Sequence, residues 1–283
     1  MNEWDRELDV DPDAVRRAAA PLRSWRLLAS GWDCDAWIAD EAVIWRVPRR
    51  AAGIAALEHE ARLMPRRAPH LPAAVPVPAL VVAEGLPALA RHEFIPGREL
   101  AHSPGATPAA AAALGVLLRA LHDPARAREL GAGLRRDPKG RADPAKRMPL
   151  THHRLDQIAN LVDVEPLRSI VDAAAGPPLA TDVLCHGDLH IRHVVVDDAG
   201  ALAGVIDWGD SCLGAAGVDL SVVTAFDSPA RAAFFASYGP VERAAWRHAR
   251  LLGVMFGALL LAADPEGAVG QAAKRWLRRL AGS

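Results

Sequence analysis

Lysine is almost missing from this chain. Only Lys139, Lys146 and Lys274 occur among thirty-three basic residues in 283. A genome rich in G and C accounts for such a bias, but the consequence is chemical. No lysine precedes residue 139, so a phosphate clamp in the N-terminal third has to be arginine or backbone. Cysteine is scarce too. Cys34, Cys185 and Cys212 are an odd number at irregular spacing, which fits reduced thiols in the cytosol better than a disulfide framework. Long apolar runs are lacking. The longest, residues 251–263, is too short to span a bilayer and reads as a buried helix. The acidic start MNEWDRELDVDPD has no signal-peptide apolar region, so a cytoplasmic protein without a membrane partner is expected. A net charge of −1 gives no electrostatic case for nucleic acid. What is present is apolar residue, 51% of the chain, enough to bury one large domain or two lobes.

The patterning divides the chain. Asp11-Pro12 is a helix start, with Asp11 as cap and Pro12 at the first helical position. Residues 36–39 and 43–47 read as a hairpin joined through Asp40-Glu41. Residues 53–66 suit a helix with Ile54, Leu57, Ala61 and Met64 on one face, ended by the prolines from Pro65 onward. Short extended pieces follow at 79–83 and 86–94. Ile95-Pro96-Gly97 is a chain reversal and the candidate hinge. After it, residues 108–122 carry leucines at helical spacing, and 123–150, rich in Arg, Asp, Pro and Gly, read as a mobile surface segment. Short helices are expected near 153–161 and 166–175. Residues 183–207 alternate as strands, and 218–281 are mostly helical. A strand-rich N-terminal lobe (1–95) and a helical C-terminal lobe (96–283) with a cleft between them is the expected α+β architecture.

The densest polar cluster is His186-Gly187-Asp188-Leu189-His190-Ile191-Arg192-His193, lying between two apolar strands. Ile206-Asp207-Trp208 brings a second acid at the end of another apolar strand. Two acids at adjacent strand ends can face a common point. Phosphoryl transfer needs such a pair, one carboxylate for the attacking hydroxyl and one for the metal that bridges the phosphates. A zinc cluster of Cys185, His186, His190 and His193 is the competing reading, but it leaves Asp207 unexplained.

At these residues the sequence resembles the aminoglycoside/macrolide phosphotransferase family, small-molecule kinases with the protein-kinase-like bilobal fold. The run HGDLHIRHVVVDDAGALAGVIDWGDSCLGAAGVDL (186–220) is similar to their catalytic and metal-binding segment. Weaker pieces occur in the family's order: GWDCDAW (31–37) resembles the phosphate-covering turn, VIWRVPRR (43–50) the third strand, and LEHEARLMPRRAPHLP (57–72) the helix with its acidic partner. FIPG (94–97) resembles the interlobe linker, and LGVLLRALH (114–122) the helix behind the catalytic loop.

The resemblance implies Asp188 as catalytic base, Asp207 and His193 as metal ligands, and Arg46, held by Glu60, on the α/β-phosphates. It places Ser30 and Gly31 over the phosphates, and Arg91, His92, Glu93 and Phe94 along the nucleobase. His186 and Asp219 become braces of the catalytic loop. His190 stands where protein kinases place a phosphate-contacting lysine. The implied cofactors are Mg²⁺ with ATP or GTP, and the partners are the nucleotide and a small-molecule antibiotic, with the protein a monomer or weak dimer. Three departures stand out. His193 replaces the common Asn and matches the macrolide type, Cys34 replaces an Asn in the phosphate turn, and Ala215-Ala216 replaces the usual Asp-Pro.

Acceptor charge is partly legible. Residues 221–283 hold four acids and eight basic residues, a balance of +4. That disfavours a polycationic aminoglycoside and favours a macrolide or another mainly neutral compound. An aminoglycoside or metabolite-alcohol kinase, or a catalytically weak nucleotide-binding scaffold, are the alternatives.

Overall fold

The structure, a computed structural model, describes residues 6–282, so the acidic start at residues 1–5 lies outside the described residues. The chain forms two compact units. Among the described residues, one comprises 6–70, Val75–Ile95 and the short return Asp207–Asp210; the other comprises Leu71–Ala74, Pro96–Ile206 and 211–282.

The first unit opens with α1 (Pro12–Ala19), whose cap Asp11 accepts from the Asp13 and Ala14 backbone N–H groups. Strands β1 (Trp25–Ser30), β2 (Cys34–Ala39) and β3 (Val43–Pro48) precede α2 (Ala51–Arg67), and β4 (Ala79–Val81) and β5 (Leu89–Glu93) follow it. They form an antiparallel sheet in the order β1-β2-β3-β5-β4. Asp40 and Glu41 turn the β2–β3 hairpin at φ 52° and 54°. Asp40 offsets that conformation by accepting from the Arg23 and Ser24 N–H groups at 2.7 and 2.8 Å. Beneath the sheet Trp25 stacks on Trp37, ring centroids 5.3 Å apart, and they pack on a core of Val10, Val15, Trp45, Val47 and Leu89. The helix α2 does not stop at Pro65. It runs on to Arg67, because a proline this near the C-terminus removes a single intrahelical donor before the 3₁₀ turn Ala68–His70 takes over. Gly53 lets the start of α2 approach the β1–β2 turn, since a Cβ there would meet the Asp33 carbonyl oxygen at 2.4 Å.

The second unit contains β6 (Arg98–Glu99), then α3 (Pro108–Leu121), α4 (Pro124–Leu130), α5 (Pro144–Ile158) and α6 (Glu165–Asp172). Strands β7 (Val183–Cys185), β8 (Val194–Val196), β9 (Leu202–Val205) and β10 (Cys212–Gly214) follow, and the chain ends in α7 (Ala216–Asp219), α8 (Ser228–Tyr238), α9 (Arg243–Ala263) and α10 (Ala268–Ala281). β6, β8 and β9 make one small sheet, and β7 pairs with β10, which the sequence pattern did not mark. The unit's core is built around α9, whose residues from His248 to Leu261 are buried almost throughout. Trp276 of α10 is buried and donates to the Thr224 hydroxyl at 2.8 Å, so it is a core residue as its helical setting suggests.

The expectation of a mobile segment at 123–150 is overturned. Asp123 and Asp143 cap α4 and α5, and the Asp137 N–H donates to the carbonyl of Leu213 within β10. Turn-forming residues there make caps rather than disorder. The helix expected near 153–161 starts nine residues earlier, with Pro144 in its first turn and Pro149 accommodated inside it.

Candidate active site

In the first unit one cation, its side chain 12% exposed, joins two acids. Arg46 faces α2 from β3 and donates to Glu60 at 2.7 Å and to Asp207 at 2.8 Å. Glu60 is fully buried, and its other oxygen accepts from the Trp208 N–H at 3.3 Å. Burial works against the charge on Arg46, but Asp207 and Glu60 outweigh it and push its pKa up. The guanidinium is therefore a permanent cation. Asp207 holds a left-handed backbone, φ 66°, unusual for a residue other than glycine. Such backbone strain concentrates at functional positions. A carboxylate is the hard oxygen donor that Mg²⁺ prefers, so Asp207 fits the metal role the sequence suggests.

The phosphate-turn residues are tied by their own network. Gly31 N–H donates to the Cys34 carbonyl at 2.9 Å, and Arg49 donates to the Gly31 carbonyl at 2.9 Å. The Ser30 hydroxyl donates to the buried Asp35 at 2.8 Å. Burial raises the Cys34 thiol to about 12, so it is an inert small apolar side chain in this turn. On β5 and just beyond, Arg91 and Glu93 are exposed, while Phe94 donates its backbone N–H to the Ala42 carbonyl at 2.7 Å. Burial lowers His92 to about 4, and the ring contacts the Glu93 carbonyl at 2.8 Å.

In the second unit the loop from His186 to His193 joins β7 to β8. Asp219, fully buried, accepts from the His186 and Gly187 N–H groups at 2.8 and 2.9 Å and pairs with His122 at 3.1 Å. Burial alone would raise the Asp219 pKa, but the His122 hydrogen bond leads the effects that hold it below the ordinary value. His186 Nε2 donates to the Ile206 carbonyl at 2.9 Å, while Nδ1 accepts from the Asp188 N–H at 3.3 Å. His193 Nδ1 bonds the Asp188 carbonyl at 2.7 Å, which makes Nε2 the nitrogen with a lone pair. Its ring stacks on His190 with centroids 3.8 Å apart.

Among the described residues, Asp188, His190 and His193 offer ligand atoms within 4.8 Å of one another, and so do His122, Cys185 and Asp219. Neither group joins Cys185 to the loop histidines, and His186 uses both ring nitrogens in hydrogen bonds, so the four-residue zinc reading has no ligand set.

The structure thus gathers Arg46, Glu60 and Asp207 in one unit and Asp188, His190 and His193 in the other. Sequence reasoning missed Arg141, whose guanidinium pairs with Asp188 at 2.7 Å and also donates to the Gly187 carbonyl. Nothing in the spacing could have found it, because it lies far upstream in the proline- and glycine-rich stretch.

The chain matches the family described as "APH: Phosphotransferase enzyme family" over residues 24–252. No curated protein matches it. Among solved structures it is similar to the GDP complex of wild-type aminoglycoside 2'-phosphotransferase-IIIa, with TM-score 0.67, 18% identity and coverage of 95% of this chain and 96% of that one. It is also similar to macrolide 2'-phosphotransferase MphH from Brachybacterium faecium, with TM-score 0.55, 22% identity and coverage of 94% and 96%. A macrolide 2'-phosphotransferase type I gives TM-score 0.58, 23% identity and coverage of 95% and 97%. At these identities the likeness establishes the protein-kinase-like fold, a sheet-bearing unit and a helical unit. With a family match over most of its length, the chain belongs to the APH phosphotransferase enzyme family and is a small-molecule O-phosphotransferase.

Proposed function

We propose that this enzyme transfers the γ-phosphoryl group of ATP or GTP to a hydroxyl of a largely neutral small molecule, an antibiotic of macrolide or similar character, in the cytoplasm. The observation that carries the reading is Arg46 bridging Glu60 and Asp207, a fixed cation beside a hard carboxylate. In this reading residues 1–95 bind the nucleotide and 96–283 carry the catalytic and acceptor-binding groups. Arg46 contacts the α/β-phosphates with Glu60 holding it in place, Ser30 and Gly31 cover them, and the chain at Arg91, His92, Glu93 and Phe94 lines the nucleobase. Asp207 and His193 would hold Mg²⁺, which when bound neutralises charge between the β- and γ-phosphates. Asp188 accepts the proton of the attacking hydroxyl, and Asp219 with His186 holds the loop that presents it. The neighbours solved with GDP and as aminoglycoside and macrolide phosphotransferases support nucleotide use and an antibiotic acceptor.

The test is a nucleotide-consumption screen with ATP and GTP over a panel of antibiotics and simple alcohols, with product mass measured. A product heavier by one phosphoryl group is expected. Asp188→Ala should lose about 10²–10⁴ in rate. A variant keeping more than about a tenth of wild-type kcat would remove Asp188 from the catalytic role.

A further inference from the structure

Three side chains from three elements of the second unit form one directed chain of hydrogen bonds that ends on the catalytic loop. Tyr238 closes α8 and is the single tyrosine of the sequence. His122 caps the C-terminal end of α3. Gly115 lets the two helices meet, since a Cβ there would lie 2.7 Å from the Phe234 carbonyl oxygen. The Tyr238 hydroxyl is 2.8 Å from His122 Nδ1, and His122 Nε2 is 3.1 Å from Asp219 Oδ2. Asp219 in turn accepts the His186 N–H at 2.8 Å on Oδ2 and the Gly187 N–H at 2.9 Å on Oδ1. The next residue is Asp188. His122 is 7% exposed and Asp219 is fully buried, so a partner lost from this chain is not replaced by bulk water.

Chemistry fixes the direction of each bond. An ionised carboxylate only accepts, so His122 Nε2 carries the ring proton. A ring with one proton then has its lone pair on Nδ1, the nitrogen that faces Tyr238. Burial, followed by the nearby Asp219, pushes the phenol pKa up, so the hydroxyl keeps its proton and donates it to Nδ1. The other tautomer would set a nitrogen lone pair against the Asp219 carboxylate. The thiol of Cys185, close to both His122 and Asp219, does not compete, because it donates to the Ala215 carbonyl at 3.4 Å.

We propose that Tyr238 is a positioning residue of the transfer site, selecting through His122 the ring tautomer that completes the donors around Asp219 and so holding His186, Gly187 and the adjoining Asp188 in place. The proposal rests on the kinase reading above and adds to it a residue from α8, outside the catalytic motif.

The test removes only the hydroxyl. The Tyr238 ring stacks on Phe234, centroids 5.4 Å apart, and Tyr238→Phe keeps that packing. Amide hydrogen exchange at His186 and Gly187, followed by NMR, should speed up about fivefold, as expected for one lost hydrogen bond. With any acceptor that the screen identifies, kcat should fall by a similar factor while KM for the nucleotide stays near wild type. In His122→Gln the amide can still donate to Asp219 but no longer needs a proton set by Tyr238. Adding Tyr238→Phe to His122→Gln should therefore cost no further kcat and no further protection of the two amides. Unchanged exchange at His186 and Gly187 in Tyr238→Phe overturns the proposal, and so does an additive loss in the double variant. A lower melting temperature with kcat and both amides at wild-type values would make Tyr238 a packing residue and overturn it as well. If no acceptor is phosphorylated, the kinase reading fails separately, and the exchange measurement, which needs no turnover, still decides the role of Tyr238.

Discussion

Asp207 shows what a single residue can be asked to do. Its φ of 66° turns the carboxylate off the end of β9, and Arg46 meets it at 2.8 Å. In Asp207→Asn the amide is a weaker ligand for Mg²⁺ and a poorer partner for the guanidinium. Titration of nucleotide with and without Mg²⁺ should show the wild-type gain on adding metal largely lost, with acceptor affinity little changed. An unchanged Mg²⁺ dependence would remove Asp207 from the metal site. His193 poses a sharper question. Its Nδ1 is committed to the Asp188 carbonyl, the arrangement that orients a ligating imidazole through its other nitrogen. Imidazole suits borderline metals better than Mg²⁺. Thus His193→Asn should keep activity with Mg²⁺ and lose relative activity with Mn²⁺ and Co²⁺, read as kcat/KM across the three ions. Identical rankings in both proteins would make His193 structural. The motif names both residues in the sequence, but Arg141 is silent there because its partner Asp188 is distant in the chain and its own segment has no periodicity.

At the scale of elements, β3 and α2 are locked by a charge pair that few helices carry on a buried face. Glu60 is fully buried and satisfies both Arg46 and the Trp208 N–H. Removing one partner of such a pair leaves the other buried and uncompensated. Glu60→Ala should therefore cost about 3–5 kcal/mol in chemical unfolding, and it should weaken nucleotide binding. Gly97 marks the entry to β6. Its φ is 142°, and a Cβ there would meet the Val196 carbonyl oxygen at 2.5 Å. Gly97→Ala should destabilise by about 1–3 kcal/mol, and a melting temperature equal to wild type would refute the close approach. Helices with a clean apolar face were legible, α3 above all, because periodicity survives without tertiary information. The start of α5 and strand β10 were not. Their positions depend on the Asp137 turn and on pairing with β7, contacts that local pattern does not record.

For the molecule as a whole, pH is a lever with a defined sign. Burial, followed by the nearby His193, keeps the His186 pKa below the ordinary imidazole value. Unfolding therefore takes up a proton once the pH falls below about 6.5. The stabilisation is complete at neutral pH and declines as pH drops through that value toward the lowered one. Melting temperature should fall between pH 7.5 and 5, and His186→Asn should flatten part of that slope, leaving the share that His92 and His248, lowered in the same direction by burial, contribute. An identical slope in the variant would assign the effect elsewhere. The two-unit organisation itself could be read only coarsely. Strand-rich and helix-rich stretches are visible along the chain, but the return of Asp207–Asp210 to the first unit is a three-dimensional fact. That return bears on how such a protein can be rebuilt. A fragment ending at residue 95 keeps Arg46 and Glu60 but leaves behind Asp207 and the Trp208 N–H that complete their hydrogen bonds. Grafting the N-terminal part of this chain onto a relative would then succeed only if four residues, encoded more than a hundred positions downstream, travelled with it.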